Sequence, residues 1–389
     1  MRNRVVEGGA AGEAAAPEAL FLHPPFDAGD LVARIFAPAT PPAVRPATLE
    51  GWRVAGDGEG TRFALVEAAG GAVAGRLVAA GAEAALRIGF AMAALGAEPA
   101  PVTVAAEGGP IRAVGWRFGP AAPPRDPDPA PLDAEGRARL GEMLSEVMGL
   151  FGRREAAELP ALLPGIAVRA LARARGAASA VPAALSAAPG AEAVELDERV
   201  YPYARYFAVE EHRLRHPRFD GGMSEPVERS VFASGDAVTV LPFDPKAGTV
   251  LLIEQFRAGP WARRDPRPWC LETIAGRSDR AEPPEATARR EAVEEAGLTL
   301  GRLERIGGYY PSPGIASEFI VGFVGEADLG GAGGTTHGLA EEQEDIRTLV
   351  VTLEAAMAAF ASGEIRNAPL IVSLLWLDRH AARLRRAWA

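Results

Sequence analysis

The stretch "GPAAPPRDPDPAPL" at 119–132 carries six prolines in fourteen residues. Proline lacks the backbone N–H that helix interiors and central strands require, so no regular element can run through it. The chain must organise on either side of this break, which reads as a linker or domain edge. At 389 residues it is also long for one hydrophobic core, and length alone favours about two or three domains.

Before the break, residues 20–118 contain short apolar runs bounded by Gly and Pro. "GAVAGRLVAA", "APVTVAA" and "IRAVGWRF" read as strands. After it, Leu140, Met143, Leu144, Val147, Met148 and Phe151 recur at helical spacing, and "GIAVRALARARGA" reads as a second helix. The Ala/Pro/Gly segment "ASAVPAALSAAPGAEA" separates this pair from a strand-rich region that starts near 195. There, "DAVTVLPFDPKAGTVLLIEQFR" reads as a hairpin turning through Asp244–Gly248. "FIVGFVGEA" is a buried strand, and "APLIVSLLWLDRHAARLRR" a closing helix. No solenoid-type repeat is present. The pattern is α+β, with helices between the strands of a mixed sheet.

Composition narrows the function classes. A hydrophobic content of 48% and a charged content of 24% are ordinary for a globular protein, and the net charge of −10 argues against nucleic acid as the main partner. Lys246 is the only lysine, a bias we assign to codon usage. The amino terminus has no signal-peptide core and no run could span a bilayer, so a cytoplasmic protein with no membrane partner is expected. The single cysteine, Cys270, excludes an intrachain disulfide and fits a reducing compartment.

Chemistry concentrates in "RREAVEEAGL" at 289–298. Pro283-Pro284 suits the first turn of a helix and Gly297 its C-terminal cap. On such a helix Glu291, Glu294 and Glu295 share a face. Arg290 can hold Glu294 four residues on, while nothing basic lies three or four residues from Glu291 or Glu295. Two carboxylates about 4 Å apart repel by roughly 4 kcal/mol at an effective dielectric near 20. A divalent cation reverses that sign, and Mg²⁺ favours a few carboxylates together with waters and phosphate oxygens.

The helix also belongs to a longer pattern. Gly276 is followed by five residues, Glu282, seven residues, Arg290-Glu291, then Ala292, Glu294-Glu295, Gly297 and Leu298. This resembles the signature of the Nudix hydrolases at every Gly, Glu and Arg position, with Ala292 smaller than many members carry. Downstream, "YYPSPGIASE" places Pro313 sixteen residues past Gly297. With "LIEQFR", "LETIAG" and "HGLAEEQEDIR", it resembles the ADP-ribose pyrophosphatase branch of that family over roughly 195–389.

The resemblance implies a Mg²⁺-dependent diphosphatase that splits ADP-ribose into AMP and ribose 5-phosphate, with two or three ions and Mn²⁺ as a substitute. It implies metal ligation by Glu291, Glu295, Glu344 and the carbonyl of Ala275. Glu282 is either a ligand or a helix-orienting group. Gly276, Arg290, Glu294 and Gly297 are the structural members. Arg257 matches a phosphate contact, Arg229 a substrate-binding arginine, and Glu318 a residue near the terminal ribose, on the turn that holds Pro313 and Gly314. From the Gly-rich loop "GGAGGTTHGLAEEQED", Glu342 is expected as the base and Glu344 as the ligand, although neighbouring acids could exchange roles. A homodimer is also implied, in which the segment near 200–230 crosses to the partner and brings Arg229 with it. Cys270 reads as a strand residue, His337 as a turn residue, and His212 and His216 take no assignment.

In the first half, "LFLHPPFDAGDLVARIF", "LEGWRVAG", "GAVAGRLV" and "AVGWRF" resemble the γ-glutamylcyclotransferase-like barrel, which occurs fused to this Nudix branch in tellurite-resistance-associated proteins. His23-Pro24-Pro25-Phe26 stands where that family carries Tyr-Gly-Thr-Leu, and Glu98 is the only glutamate on offer near the expected position. The implied domain is degenerate and non-catalytic. The full expectation is a cyclotransferase-like β-barrel at 18–120, a proline-rich linker and helical connector at 121–192, and a Nudix α/β/α sandwich with a mixed sheet at 193–389. Alternatives are a pyrophosphatase of another nucleoside-diphosphate sugar, an ADP-ribose sensor without catalysis, and a cyclotransferase with an appended Nudix domain. The complete carboxylate set argues against the sensor.

Overall fold

A computed structural model describes residues 18–118, 131–278, 282–338 and 344–388. The chain divides into two compact units, residues 1–133 with 151–160, and residues 134–150 with 161–389.

In the first unit, β1 (Ala19–Leu22), β2 (Val44–Gly56), β3 (Phe63–Ala79), β4 (Ala97–Ala106) and β5 (Gly109–Phe118) form a closed barrel in the order β1-β3-β2-β4-β5. Closure comes from parallel pairing of β1 with β5, Ala19 opposite Ala113 and Leu20 opposite Val114. Val102 and Val104 alternate inward along β4 and meet Phe21, Leu49, Leu65 and Leu77 in a filled interior. The long β2–β3 ribbon breaks register between Glu50 and Trp52, at Gly51, whose φ of 80° lies in the left-handed region. Two helices, α1 (Gly29–Phe36) and α2 (Ala82–Ala94), complete the unit.

The second unit begins with α3 (Ala134–Gly149) and α4 (Leu163–Ala178), which pack against each other. A small antiparallel sheet follows, formed by β6 (Glu195–Ala204), β7 (Ala208–Arg215) and β8 (Val227–Ala233). The larger sheet is built from β9 (Ala237–Asp244), β10 (Thr249–Phe256), β11 (Trp269–Glu272), β12 (Ile274–Arg277), β13 (Leu303–Tyr309), β14 (Ile320–Glu326), β15 (Thr336–His337) and β16 (Ile346–Thr352). Its path is β13-β14-β9-β10-β16-β15, with β11 on β10 and β12 on β9. It is mixed, since β14 runs parallel to β9 while β10 and β12 run antiparallel to their neighbours.

Both faces of this sheet are covered, as its central strands require: β9 from Val238 to Asp244 and β14 from Ile320 to Gly325 are buried without a break. Val238 and Val240 of β9 and Leu251 and Ile253 of β10 face Ala288, Ala292 and Ala296 of α6 (Pro284–Ala296). Leu241, Phe243, Val250 and Leu252 face the other layer. That layer comprises α7 (Leu353–Ser362) and α8 (Ala368–Trp388), with Leu370, Leu374, Leu377 and Leu384 turned inward. A short helix, α5 (Ala258–Ala262), follows β10. Among the described residues, no helix is long and apolar enough to cross a membrane. His337 departs from the expected turn: it pairs with Ile346 in the two-residue strand β15, which is too short to leave a periodic signal.

Candidate active site

The site is organised by α6 lying across β12. Pro284 occupies the first turn behind Pro283, and Gly297 ends the helix in the left-handed conformation at φ 63°. The N–H of Leu298 returns to Ala292 O at 2.9 Å, closing the cap. Ala288, Ala292 and Ala296 are small enough to let α6 approach the sheet closely. Thus Glu295, on the same buried face, reaches β12, and the Ala275 N–H donates to Glu295 Oε2 at 3.1 Å. Gly276 beside it has no Cβ because the Glu291 carboxylate fills that space.

Glu295 is only 2% exposed. Burial pushes its carboxyl well above the ordinary range, and the fields of Glu291 and Glu344 add to that, against the Ala275 N–H and the Arg257 charge. The expectation that Glu291 lacks a basic neighbour is corrected. Arg290 donates to Glu291 Oε1 at 2.7 Å, as well as to Glu294 Oε2 at 2.9 Å and Glu282 Oε1 at 3.1 Å. The loop before α6 allows this, because Glu282 also accepts from Thr287 Oγ1 at 3.0 Å and is drawn over the helix start.

Across the cleft, Arg257 stands at the end of β10 and Glu272 on the paired strand β11. They form a bidentate pair at 3.0 and 2.7 Å, and Arg257 also feels Glu295 and Glu344. The cleft has a volume of about 420 Å³ and is lined by Arg257, Glu272, Ala275, Gly276, Arg277 and Glu318, with Phe207 and Phe232 as apolar wall. Burial raises the Glu318 carboxyl, with Asp236 adding to the rise and Ser234 and Arg277 opposing it. Asp236 itself is pushed up to about 6 by burial.

The described structure therefore brings Arg257, Ala275, Gly276 and Glu318 to the wall of one cleft, with Glu295 bonded to Ala275, Glu291 against Gly276 and the field of Glu344 reaching Glu295. Other expected residues stand apart. Pro313 and Gly314 are exposed on their turn and do not line the cleft, although Ala316 and Glu318 just after them do. Phe232 N donates to Ile315 O at 2.7 Å and fixes that turn to β8. Arg229 lies on β8 opposite His212 and lines a separate charged concavity of about 210 Å³ with Glu211 and Glu228. Glu342 lies outside the described residues. Among those residues, no three acidic, histidine or cysteine side chains form a ready metal cage. The donor chemistry still fits a hard divalent cation, since the carboxylates of Glu295 and Glu291 lie against Ala275 and Gly276, two residues of the cleft wall that Arg257 also lines.

Several lining residues were not assigned from sequence. Glu272 sits in "LETIAG", and its role as the partner of Arg257 follows only once β10 and β11 are paired. Asp236, in the loop before β9, was likewise unassigned; it acts on Glu318 in the loop before β14, and no spacing rule connects the two.

Comparison with known proteins agrees with this geometry. The NUDIX domain model matches residues 233–372. The ADP-ribose pyrophosphatase of Escherichia coli (strain K12) is 42% identical over 200 residues, covering 51% of this chain and 95% of that protein. The ADP-ribose pyrophosphatase of Haemophilus influenzae is 39% identical over 190 residues, covering 48% and 86%. A GDP-mannose pyrophosphatase of Citrobacter koseri is 35% identical over 153 residues, covering 39% and 77%. With its acidic helix, its glycine-floored cleft and nearly the whole length of such a relative in common, the chain belongs to the Nudix hydrolase family.

Proposed function

We propose that the protein hydrolyses the diphosphate of ADP-ribose to AMP and ribose 5-phosphate with Mg²⁺. The substrate is supported by 42% identity to an ADP-ribose pyrophosphatase across 95% of its length. The chemistry is supported by Glu295, a buried carboxylate that feels Glu291 and Glu344 and accepts from Ala275 of the cleft wall.

Glu291, Glu295 and Glu344, with the carbonyl of Ala275, would hold the metal, two or three ions in all, with Mn²⁺ as a substitute. When bound, Mg²⁺ offsets charge on the diphosphate oxygens and makes water more acidic. Glu282 is assigned to orienting the helix, because its Oε1 accepts from both Thr287 and Arg290 of α6. Arg257 steadies a phosphate while Glu272 keeps its guanidinium in place. Glu342 accepts the proton of the attacking water as the oxygen bonds to phosphorus and the bridging P–O bond breaks. Glu318 faces the terminal ribose, beside the turn of Pro313 and Gly314. Arg229 serves the cleft of a second copy in a homodimer, consistent with its place away from this chain's own cleft.

The test is release of AMP and ribose 5-phosphate from ADP-ribose, and its loss in Glu295→Gln. Full activity in that variant would reject the metal-site assignment. The GDP-mannose pyrophosphatase relative favours a second substrate, so a panel of nucleoside-diphosphate sugars decides preference within the class. The half-buried thiol of Cys270, with no second cysteine, fits a cytoplasmic setting.

We infer for the barrel a degenerate, non-catalytic cyclotransferase-like role. Burial lowers the His23 imidazole to about 4, keeping it neutral, and its Nδ1 donates to Pro24 O at 2.8 Å. Glu98 is exposed on β4, away from the filled interior. Absence of 5-oxoproline release from γ-glutamyl peptides is the expected result.

A further inference from the structure

One side chain joins α4 to the loop that enters α6. Arg175, in the last turn of α4, donates through Nη1 to Ser278 Oγ at 2.9 Å and through Nη2 to the carbonyl oxygen of Glu282 at 2.8 Å. Ser278 and Glu282 flank residues 279–281, so a single guanidinium ties the end of β12 to the start of α6. Arg175 is 22% exposed, and its remaining Nε faces Glu135 of α3 at 3.3 Å. Ser278 is 3% exposed, and its N–H donates to Asp236 O at 3.0 Å.

The two ends of this tie differ in what they touch. On one side, α4 is anchored by buried charge. Arg169 donates to Glu146 of α3 at 3.0 Å, Arg173 donates to Glu146 at 2.8 Å, and Arg173 also pairs with Glu210 of β7. Moving α4 would strip partners from Glu146, which is fully buried, so the helix is a fixed frame. On the other side, Glu282 uses its carboxylate to hold Arg290, and Arg290 holds Glu291 and Glu294. The path from α4 to the acidic face therefore runs through the backbone of Glu282, and α3 and α4 both precede the segment matched by the NUDIX model.

We propose that Arg175 is a positioning residue through which the appended helices set the divalent-cation affinity of the acidic face. The proposal rests on the function above and deepens it, naming what regulates that site. Without the fork, Glu282 loses a fixed backbone, Arg290 loses the geometry of one carboxylate partner, and Glu291 is held less firmly toward Gly276. Residues that orient metal ligands from outside commonly change affinity by roughly ten-fold or more when removed.

Mn²⁺ binding to the full-length, metal-free protein, followed by electron paramagnetic resonance without nucleotide, tests this. Arg175→Met should raise the Mn²⁺ dissociation constant by roughly ten-fold. Arg175→Lys should recover part of the loss, because an ammonium reaches one acceptor but lacks the fork. Ser278→Ala removes one acceptor, and a smaller rise is expected from this milder variant even if Arg175→Met fails to fold. Glu135→Gln should bind Mn²⁺ as the wild type does. At saturating metal, the KM for ADP-ribose should stay within about two-fold of wild type, since Arg175 touches no cleft wall. Wild-type Mn²⁺ affinity in folded Arg175→Met or Ser278→Ala protein would overturn the proposal and leave the proposed function standing. Failure of the wild type to cleave ADP-ribose would count against the substrate and leave the affinity ratios to judge Arg175.

Discussion

Arg290 Nη1 donates to Glu291 Oε1 at 2.7 Å and to Glu294 Oε2 at 2.9 Å, so one guanidinium nitrogen is shared by two carboxylates of α6. The same side chain reaches Glu282 through Nε and Nη2. Arg290 thus compensates, without metal, a face that would otherwise carry three negative charges in close range. Glu291 is also the carboxylate that lies against Gly276, so Arg290 holds in place a group that a bound cation would use. Arg290→Ala should lower the metal-free unfolding free energy by about 2 kcal/mol, discounted for partial exposure. Saturating Mg²⁺ should add less stability to the variant than to the wild type, because Glu291 is no longer oriented. Urea titrations with and without chelator measure both, and equal Mg²⁺ increments would show that Arg290 does not position Glu291.

Gly276 offers a sharper separation of stability from function. Its φ is not in the left-handed region, so alanine is allowed by the backbone, but a Cβ there would fall within the Glu291 carboxylate. The end of a flexible side chain can swing away at modest cost. Gly276→Ala should therefore fold with a melting temperature close to wild type while activity falls by roughly a hundred-fold, through displacement of Glu291. Near wild-type turnover in a folded variant would show that Glu291 need not occupy that position.

Glu295→Gln should do the opposite to stability. Its carboxylate is buried at 2% exposure, and only the Ala275 N–H is seen to donate to it among the described residues. The fields of Glu291 and Glu344 oppose its charge. An uncharged amide of the same shape relieves that repulsion, so the metal-free variant should melt a few degrees higher than wild type, by roughly 1–2 kcal/mol. The increment that Mg²⁺ gives the wild type should disappear. Differential scanning fluorimetry in chelator and in Mg²⁺ reads both, and a lower metal-free melting point would contradict the assignment.

Local signals made some elements legible and non-local ones hid others. Pro283-Pro284 and Gly297 bound α6 because cap chemistry acts within a turn, and Asp244–Gly248 marked its hairpin for the same reason. The Arg290–Glu294 pair was readable at four-residue spacing. The Arg290–Glu291 pair was not, because adjacent helix residues do not face each other and only the bent path of a long guanidinium joins them. Parallel closure of β1 on β5 and the bonds from Arg175 to Ser278 and Glu282 depend on contacts across about a hundred residues. No spacing pattern encodes them. Arg229 reads as a substrate residue from its neighbours, yet β8 carries it to a different concavity from Arg257.

The anchor of α4 predicts an acid-sensitive step. Burial alone would raise the Glu210 carboxyl, but the hydrogen bond from His212 and the ion pair with Arg173 outweigh it and hold the group at about 2, below its ordinary 4.5. A carboxyl depressed in the folded state stabilises the protein fully above its unfolded value and ceases to do so as pH falls through the folded one. Stability from Glu210 should therefore be intact above about pH 4.5 and decline between pH 4.5 and 2. Glu210→Gln should flatten the stability–pH profile in that window and cost about 3 kcal/mol at neutral pH, since Arg173 would lose one of its two charged partners. Unfolding free energies from denaturant titrations across that range supply the comparison. Parallel profiles for variant and wild type would show that the carboxylate is not held by Arg173 and His212 in solution.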